Sequence, residues 1–218
     1  MVVLFKSFDR YFYPQYILKD MPLVNVVKKV LMCLIKEPHA TMLGNLSTQR
    51  YTPFQMLIAT ILSARVKDEV TEPVAKALFK QYPDAASLAS ADPKDVAHII
   101  HPIGFFNAKT RYCIATAQLI HSTYKDIVPS TMEQLLVCPG VGRKVANCVL
   151  VYAFGKDVIP VDTHVHRISN RLGWVRTKNP QATEQKLQKL VPRELWQQVN
   201  DTLVWHGKTT CLPLSPWC

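Results

Sequence analysis

Apolar residues recur along this chain mostly three and four positions apart, the repeat of a helix that buries one face, and strand-like alternation is scarce. Val26, Val27, Val30, Leu31, Leu34 and Ile35 form one such stripe. In TPFQMLIATILSA, Thr52 stands as a cap ahead of Pro53, and Phe54, Leu57, Ile58, Ile61 and Leu62 supply a broad apolar face. Asp92-Pro93 opens a helix that ends near Pro102-Ile103-Gly104, and NAKTRYCIATAQLIHSTY reads as the next one. Ser130, Thr131 and Glu133 make a capping signature before Leu135 and Leu136. An apolar run from Gly142 to Phe154 stops at Gly155, and Asp162 caps a helix that runs to Leu172 and is closed by Gly173. Two further helical patterns lie around 182–191 and 193–206. The expectation is an all-α fold with short loops and no repeats.

Composition narrows the partners. A chain of 218 residues suits one large domain or two small ones. Lys and Arg number 26 against 16 Asp and Glu, a net charge of +10, which favours a polyanion: nucleic acid or an anionic membrane surface. No run of 18 apolar residues predicts a membrane span. The opening MVVLFKSFDRYFYPQYILKD lacks the parts of a secretion signal, so the reading is an intracellular protein (cytoplasmic or nucleoid, nuclear in a eukaryote) with reduced cysteines. Of the six cysteines, Cys33, Cys113, Cys138 and Cys148 sit inside apolar helical patterns and read as small core side chains. Cys211 and Cys218 stand apart from them.

The most informative stretch is CPGVGRKVANCVL, from Cys138 to Leu150. A turn holding Gly140 and Gly142 joins two apolar helices: a helix-hairpin-helix. Glycine takes positive φ at no steric cost and lets the backbone approach a ligand closely. The N–H groups of residues 140–144 then form the start of a helix, a natural anion site suited to a DNA phosphate. Such contacts position a protein on the duplex without reading bases. Gly140, Val141, Gly142 and Arg143 are therefore candidate DNA contacts.

LLVCPGVGRKVANCVLVYAFG followed by IPVDTHVHRISNRLG resembles the endonuclease III branch of the helix-hairpin-helix DNA glycosylases. PFQMLIATILSARVKDEV, IHPIGFFNAKT and VWHGKTTC extend the likeness over about residues 21–218. The resemblance implies a bifunctional DNA glycosylase and AP lyase of base excision repair that acts on double-stranded DNA carrying a damaged base, an oxidised pyrimidine by family default, or an abasic site. Lys144 matches the nucleophile that attacks C1′ and forms a Schiff base, and the strand then breaks by β-elimination. A helix N-terminus and the neighbouring Arg143 both disfavour the ammonium form, which suits an activated amine. By itself Lys144 reads equally as a phosphate contact. Asp162, eighteen residues on, matches the catalytic aspartate and also reads as a plain N-cap.

The target nucleotide must leave the stack, so something fills the gap. By family position this is Arg65 from one loop, with Ile103 and Phe105 from another; Ser63 and His164 match pocket-side positions. Many relatives carry Gln at Arg65 and Leu at Phe105, which leaves opposite-base preference open. The resemblance further implies two helical domains with a DNA-binding cleft between them: a six-helix barrel over 46–156, and a terminal domain from 21–45 plus 157–218, after an extension at 1–20 that is a real arm or a misassigned start. It implies a monomer. The family holds a 4Fe–4S cluster on four cysteines spaced C-x6-C-x2-C-x5-C. Cys211 and Cys218 match the first two ligands and the others are missing, so no cluster is predicted for this chain, which has lost it or is given short of its natural end. Leu212, Leu214 and Trp217 are expected to pack in its place. Two rivals remain: a monofunctional glycosylase removing mismatched thymine or adenine, and a non-catalytic helix-hairpin-helix DNA-binding protein.

Overall fold

In a computed structural model, residues 21–37, 41–49 and 51–214 are described, and among them there are helices and no strand. In chain order the helices are α1 (Leu23–Ile35), α2 (Met42–Thr48), α3 (Pro53–Ser63), α4 (Asp68–Gln81), α5 (Ala85–Ala89), α6 (Pro93–Ile100), α7 (Phe106–Ser122), α8 (Met132–Leu136), α9 (Arg143–Tyr152), α10 (Thr163–Arg171), α11 (Pro180–Leu190) and α12 (Trp196–Thr209), with a 3-10 turn at Arg193–Leu195. None of them is long and apolar enough to cross a membrane.

Local chemistry explains where they begin. Thr52 accepts the Gln55 amide at 3.2 Å while the Gln55 side chain accepts the Thr52 amide at 3.0 Å, a reciprocal capping box. Asp92 accepts the Lys94 amide at 2.8 Å, with Pro93 already set for the first helical position. Before α8 it is Gln134, three residues after the Thr131 cap, that meets the threonine side chain, and not Glu133. Helix α4 has no counterpart in the predicted pattern. It runs through Pro73, a residue that removes a helical donor and reads as a break.

The chain divides into two compact units. One spans Thr41–Lys156; the other combines the chain up to Ala40 with Asp157–Cys218. The first boundary lies at 40/41 and not at 45/46, because α2 packs on α3, α4 and α9 and Asp68 Oδ2 accepts the Met42 amide at 2.9 Å. The predicted extension at 1–20 lies outside the described residues. Among the described residues of Thr41–Lys156 there are eight helical segments, α5 and α8 of five residues each. Helix α3 is its centre, buried from Met56 to Leu62. Cys113, Cys138 and Cys148 are buried here as core side chains, and burial pushes the Cys113 thiol up to about 12, which keeps it protonated and inert.

In the terminal unit, Val27, Leu31 and Leu34 of α1 pack with Val165, Ile168, Trp174, Leu187, Val199 and Leu203. This apolar contact joins the N-terminal helix to α10–α12. Leu31 is fully buried in it. Leu31→Ala is expected to destabilise the protein by about 2–5 kcal/mol through lost burial and a residual cavity, measured by denaturant unfolding.

Candidate nucleic-acid interface

The hairpin consists of α8, a turn over 137–142, and α9. Its two glycines differ. Gly140 has φ +78°, and a Cβ there would come within 2.8 Å of the Tyr112 ring, so both backbone and space demand glycine. Gly142 is extended, with φ −97° and ψ 177°, and nothing lies within 4 Å of where its Cβ would stand. Its lack of a side chain leaves an open approach to the backbone and answers no conformational need. Val141 also departs from expectation. It is buried, and its amide donates to the Cys138 carbonyl at 3.1 Å, closing the turn and leaving the anion-facing set. Thr116 braces the same turn by donating from Oγ1 to the Pro139 carbonyl at 2.8 Å.

No side chain caps the N-terminus of α9. The helix-dipole end therefore faces outward at Gly142 and the exposed Arg143. Lys144 follows at the second helical position and is half-buried.

Two loop tips belong to the same unit. Arg65 and Phe105 are both exposed and both left-handed, with φ 59° and φ 61°. Non-glycine residues seldom adopt this conformation, and it costs of order 1–3 kcal/mol unless the surroundings hold it. The only other such residues among those described, Lys125 and Asp126, form the turn after α7. Phe105 is 70% exposed, an unusual state for so large an apolar ring. Ile103 does the opposite: it is 1% exposed and anchors the loop in the core, so it is not placed to touch DNA. Ser63 donates to the Thr60 carbonyl at 2.9 Å, as a satisfied helical serine does.

A lysine absent from the predicted set stands between these tips. Lys109 is 5% exposed and its Nζ donates to the carbonyls of Leu62 and Ala64, each at 2.7 Å. Burial lowers its pKa to about 8, which leaves it charged at neutral pH. The available signal was a lysine on the same helical stripe as Cys113, Thr116 and Ile120.

In the terminal unit, Asp162 caps α10. Its Oδ1 accepts the amides of His164 at 2.8 Å and Val165 at 2.9 Å. Both bonds fall on Oδ1, so the cap that starts the helix also sets where Oδ2 points. His164 is half-buried. Burial pushes its pKa down, the Asp162 carboxylate opposes this, and the Arg167 and Lys208 charges add to the drop. Its Nδ1 lies 3.3 Å from Arg167 Nη2, so it is engaged within its own unit.

Cys211 is 1% exposed and its thiol lies 3.5 Å from Arg171 Nη1. Cys218 and Trp217 lie outside the described residues. Among the described residues no group of three or more His, Cys, Asp or Glu side chains is arranged to hold a metal. The expected tail packing is not seen at Leu214, which is 96% exposed. Arg171 holds the segment through polar contacts instead, donating to the carbonyls of Leu212 and Pro213 at 2.6 Å.

Comparison with known proteins agrees with this geometry. Residues 58–193 match the family described as HhH-GPD superfamily base excision DNA repair protein. Endonuclease III of Thermotoga maritima is 45% identical over 166 residues, covering 76% of this chain and 78% of that protein. Endonuclease III-like protein 1 of Bos taurus is 37% identical over 168 residues, covering 76% of this chain and 55% of its own length. Among solved structures, a non-covalent endonuclease III–DNA complex superposes with TM-score 0.82 at 31% identity, covering 91% of this chain and 92% of that one. A trapped covalent endonuclease III–DNA intermediate superposes with TM-score 0.81.

The two glycines give a paired expectation. Gly140→Ala should lower stability by about 1–3 kcal/mol through its left-handed backbone and the clash with Tyr112. Gly142→Ala should leave melting nearly unchanged yet weaken duplex DNA binding by blocking close backbone approach. Melting curves beside binding isotherms at fixed salt check both.

Proposed function

Because the chain belongs to the HhH-GPD superfamily of base excision DNA repair proteins, we propose that it is a bifunctional DNA glycosylase and AP lyase whose nucleophile is Lys144. One observation carries the reading: an amine stands at the second position of a helix that follows a glycine hairpin and has no side-chain cap. A glycosylase that attacks with activated water does not need a nucleophilic amine there. The hairpin backbone and Arg143 hold phosphates of damaged double-stranded DNA. Arg65 and Phe105 fill the space left when the target nucleotide is extruded.

The chemistry runs through Lys144 in its neutral form. The Nζ lone pair attacks C1′ and the bond from C1′ to the base breaks. The base departs with that electron pair and takes up a proton. Opening of the sugar ring leaves a protonated imine between Nζ and C1′. Loss of a C2′ proton then expels the 3′ phosphate, which cuts the strand, and water hydrolyses the imine to free the lysine. Asp162 matches the family's catalytic aspartate, and its proposed role is to stabilise the positive charge that grows on the sugar as the base leaves. Lesion class follows the family resemblance, an oxidised pyrimidine, and a panel of lesion duplexes tests it. The setting is intracellular, where the DNA is. These 218 residues are proposed to bind no complete 4Fe–4S cluster, because Cys113, Cys138 and Cys148 are committed to the core of the middle unit. About four irons per chain in a purified sample, with absorbance near 400 nm, would overturn that.

Borohydride trapping on an abasic-site duplex tests the nucleophile. Lys144→Ala should abolish the covalent adduct while duplex affinity stays within a few-fold; persistent trapping removes Lys144 from the role. Asp162→Asn should keep the α10 cap, since Asn caps as well as Asp. It should still slow base release by about two orders of magnitude. Unchanged turnover would leave Asp162 only its capping role.

A further inference from the structure

Lys109, Tyr112 and Thr116 are spaced three and four apart, which puts them on one face of α7, and Phe105 stands at its start. Each meets a different part of the candidate interface. Phe105 is the exposed left-handed residue immediately before α7. The Lys109 amide donates to the Phe105 carbonyl at 3.1 Å, so the lysine's backbone closes that turn. Its side chain reaches the end of α3 and holds the Leu62 and Ala64 carbonyls at 2.7 Å. Ala64 is the C-cap of α3 and Arg65, next in the chain, is left-handed. The Tyr112 ring occupies the space beside Gly140, and Thr116 donates to Pro139.

We propose that α7 is the strut that sets the spacing of the three DNA-facing segments, and that Lys109 is the positioning residue that locks the Arg65 tip to the Phe105 tip. The proposal rests on the glycosylase/lyase reading and adds a residue that touches neither DNA nor the reacting atoms. Helix α3 ends with carbonyls that have no helical donor. A cation at a helix C-terminus satisfies them and matches the dipole. Two short bonds from one ammonium, sunk in the core, leave the α3 exit little freedom. Arg65 thereby keeps a left-handed conformation that it would otherwise leave. The same residue's amide fixes Phe105, so both tips refer to one rigid helix. Local misplacement of such groups by about 1 Å is enough to cost orders of magnitude in rate.

The test compares Lys109→Met, which keeps stem length and loses every donor, with Lys109→Arg, which keeps the donors. In the free chain, the Val66 amide bonds to Ser63 at 3.0 Å inside the clamped turn. Its hydrogen exchange should speed up at least about tenfold in Lys109→Met and much less in Lys109→Arg. Adduct formation should then fall about tenfold or more on a fully paired abasic duplex. It should stay within about twofold when the abasic site sits in an unpaired bubble, where no extrusion is needed. Added to Arg65→Ala/Phe105→Ala, Lys109→Met should cost little more, since it acts through those residues. Unchanged Val66 exchange, equal loss on both substrates, or full additivity would each overturn the proposal. Should Lys109→Met fail to fold, Lys109→Leu, which also lacks donors, is judged by the same criteria. Absence of adduct with the unmodified chain on both substrates counts against the lyase reading, and the exchange result still decides the clamp.

Discussion

The backbone groups left over at helix ends are the constraint on which this structure turns. An α-helix cannot satisfy its first donors or last acceptors, and each end must find a partner or face solvent or ligand. Three ends here are treated in three ways. The end of α3 is closed by a buried lysine. The start of α10 is closed by a carboxylate. The start of α9 has no side-chain cap at all. In a family that binds DNA, the uncapped start suits a phosphate, and Lys144 stands at its second position.

Strain is spent at the same places. Arg65 and Phe105 hold left-handed backbones, and Phe105 also exposes an aromatic ring that a protein normally buries. Rigid supports make this possible. Ile103 sinks into the core two residues before Phe105, and Lys109 holds the turn from the other side. An inserted side chain can replace an extruded base only if it does not itself collapse onto the protein. Anchoring its neighbours keeps the Phe105 ring from such a collapse.

The last described residues of the chain show another use of buried-end chemistry. Arg167 donates to the Gly207 and Cys211 carbonyls, and Arg171 to those of Leu212 and Pro213. Two guanidinium groups from α10 thus secure the backbone around Cys211. Planar groups with several fixed donors suit this task better than an ammonium would. Apolar contact contributes less than the residue types suggest, as the exposed Leu214 shows.

The sequence alone determined whatever depends on near neighbours. The Thr52-Pro53 and Asp92-Pro93 starts, the Asp162 cap, the stop at Gly173 and the glycine hairpin are encoded within a few residues, and the helices begin and end accordingly. The Lys144 and Asp162 candidates were legible for the same reason, through motif and spacing. Tertiary structure decided what depends on distant partners. Helix α4 continues through Pro73 because its apolar side, from Thr71 to Phe79, is buried in the unit, which outweighs one missing donor. Ile103 and Phe105 look alike as apolar loop residues, and only packing sent one inward and the other out. Gly140 and Gly142 read as equivalent until Tyr112, far along the chain, claimed the space beside one of them. Lys109 was illegible because its acceptors lie 45 and 47 residues away, and no local pattern specifies which carbonyl a folded chain will bring to a lysine.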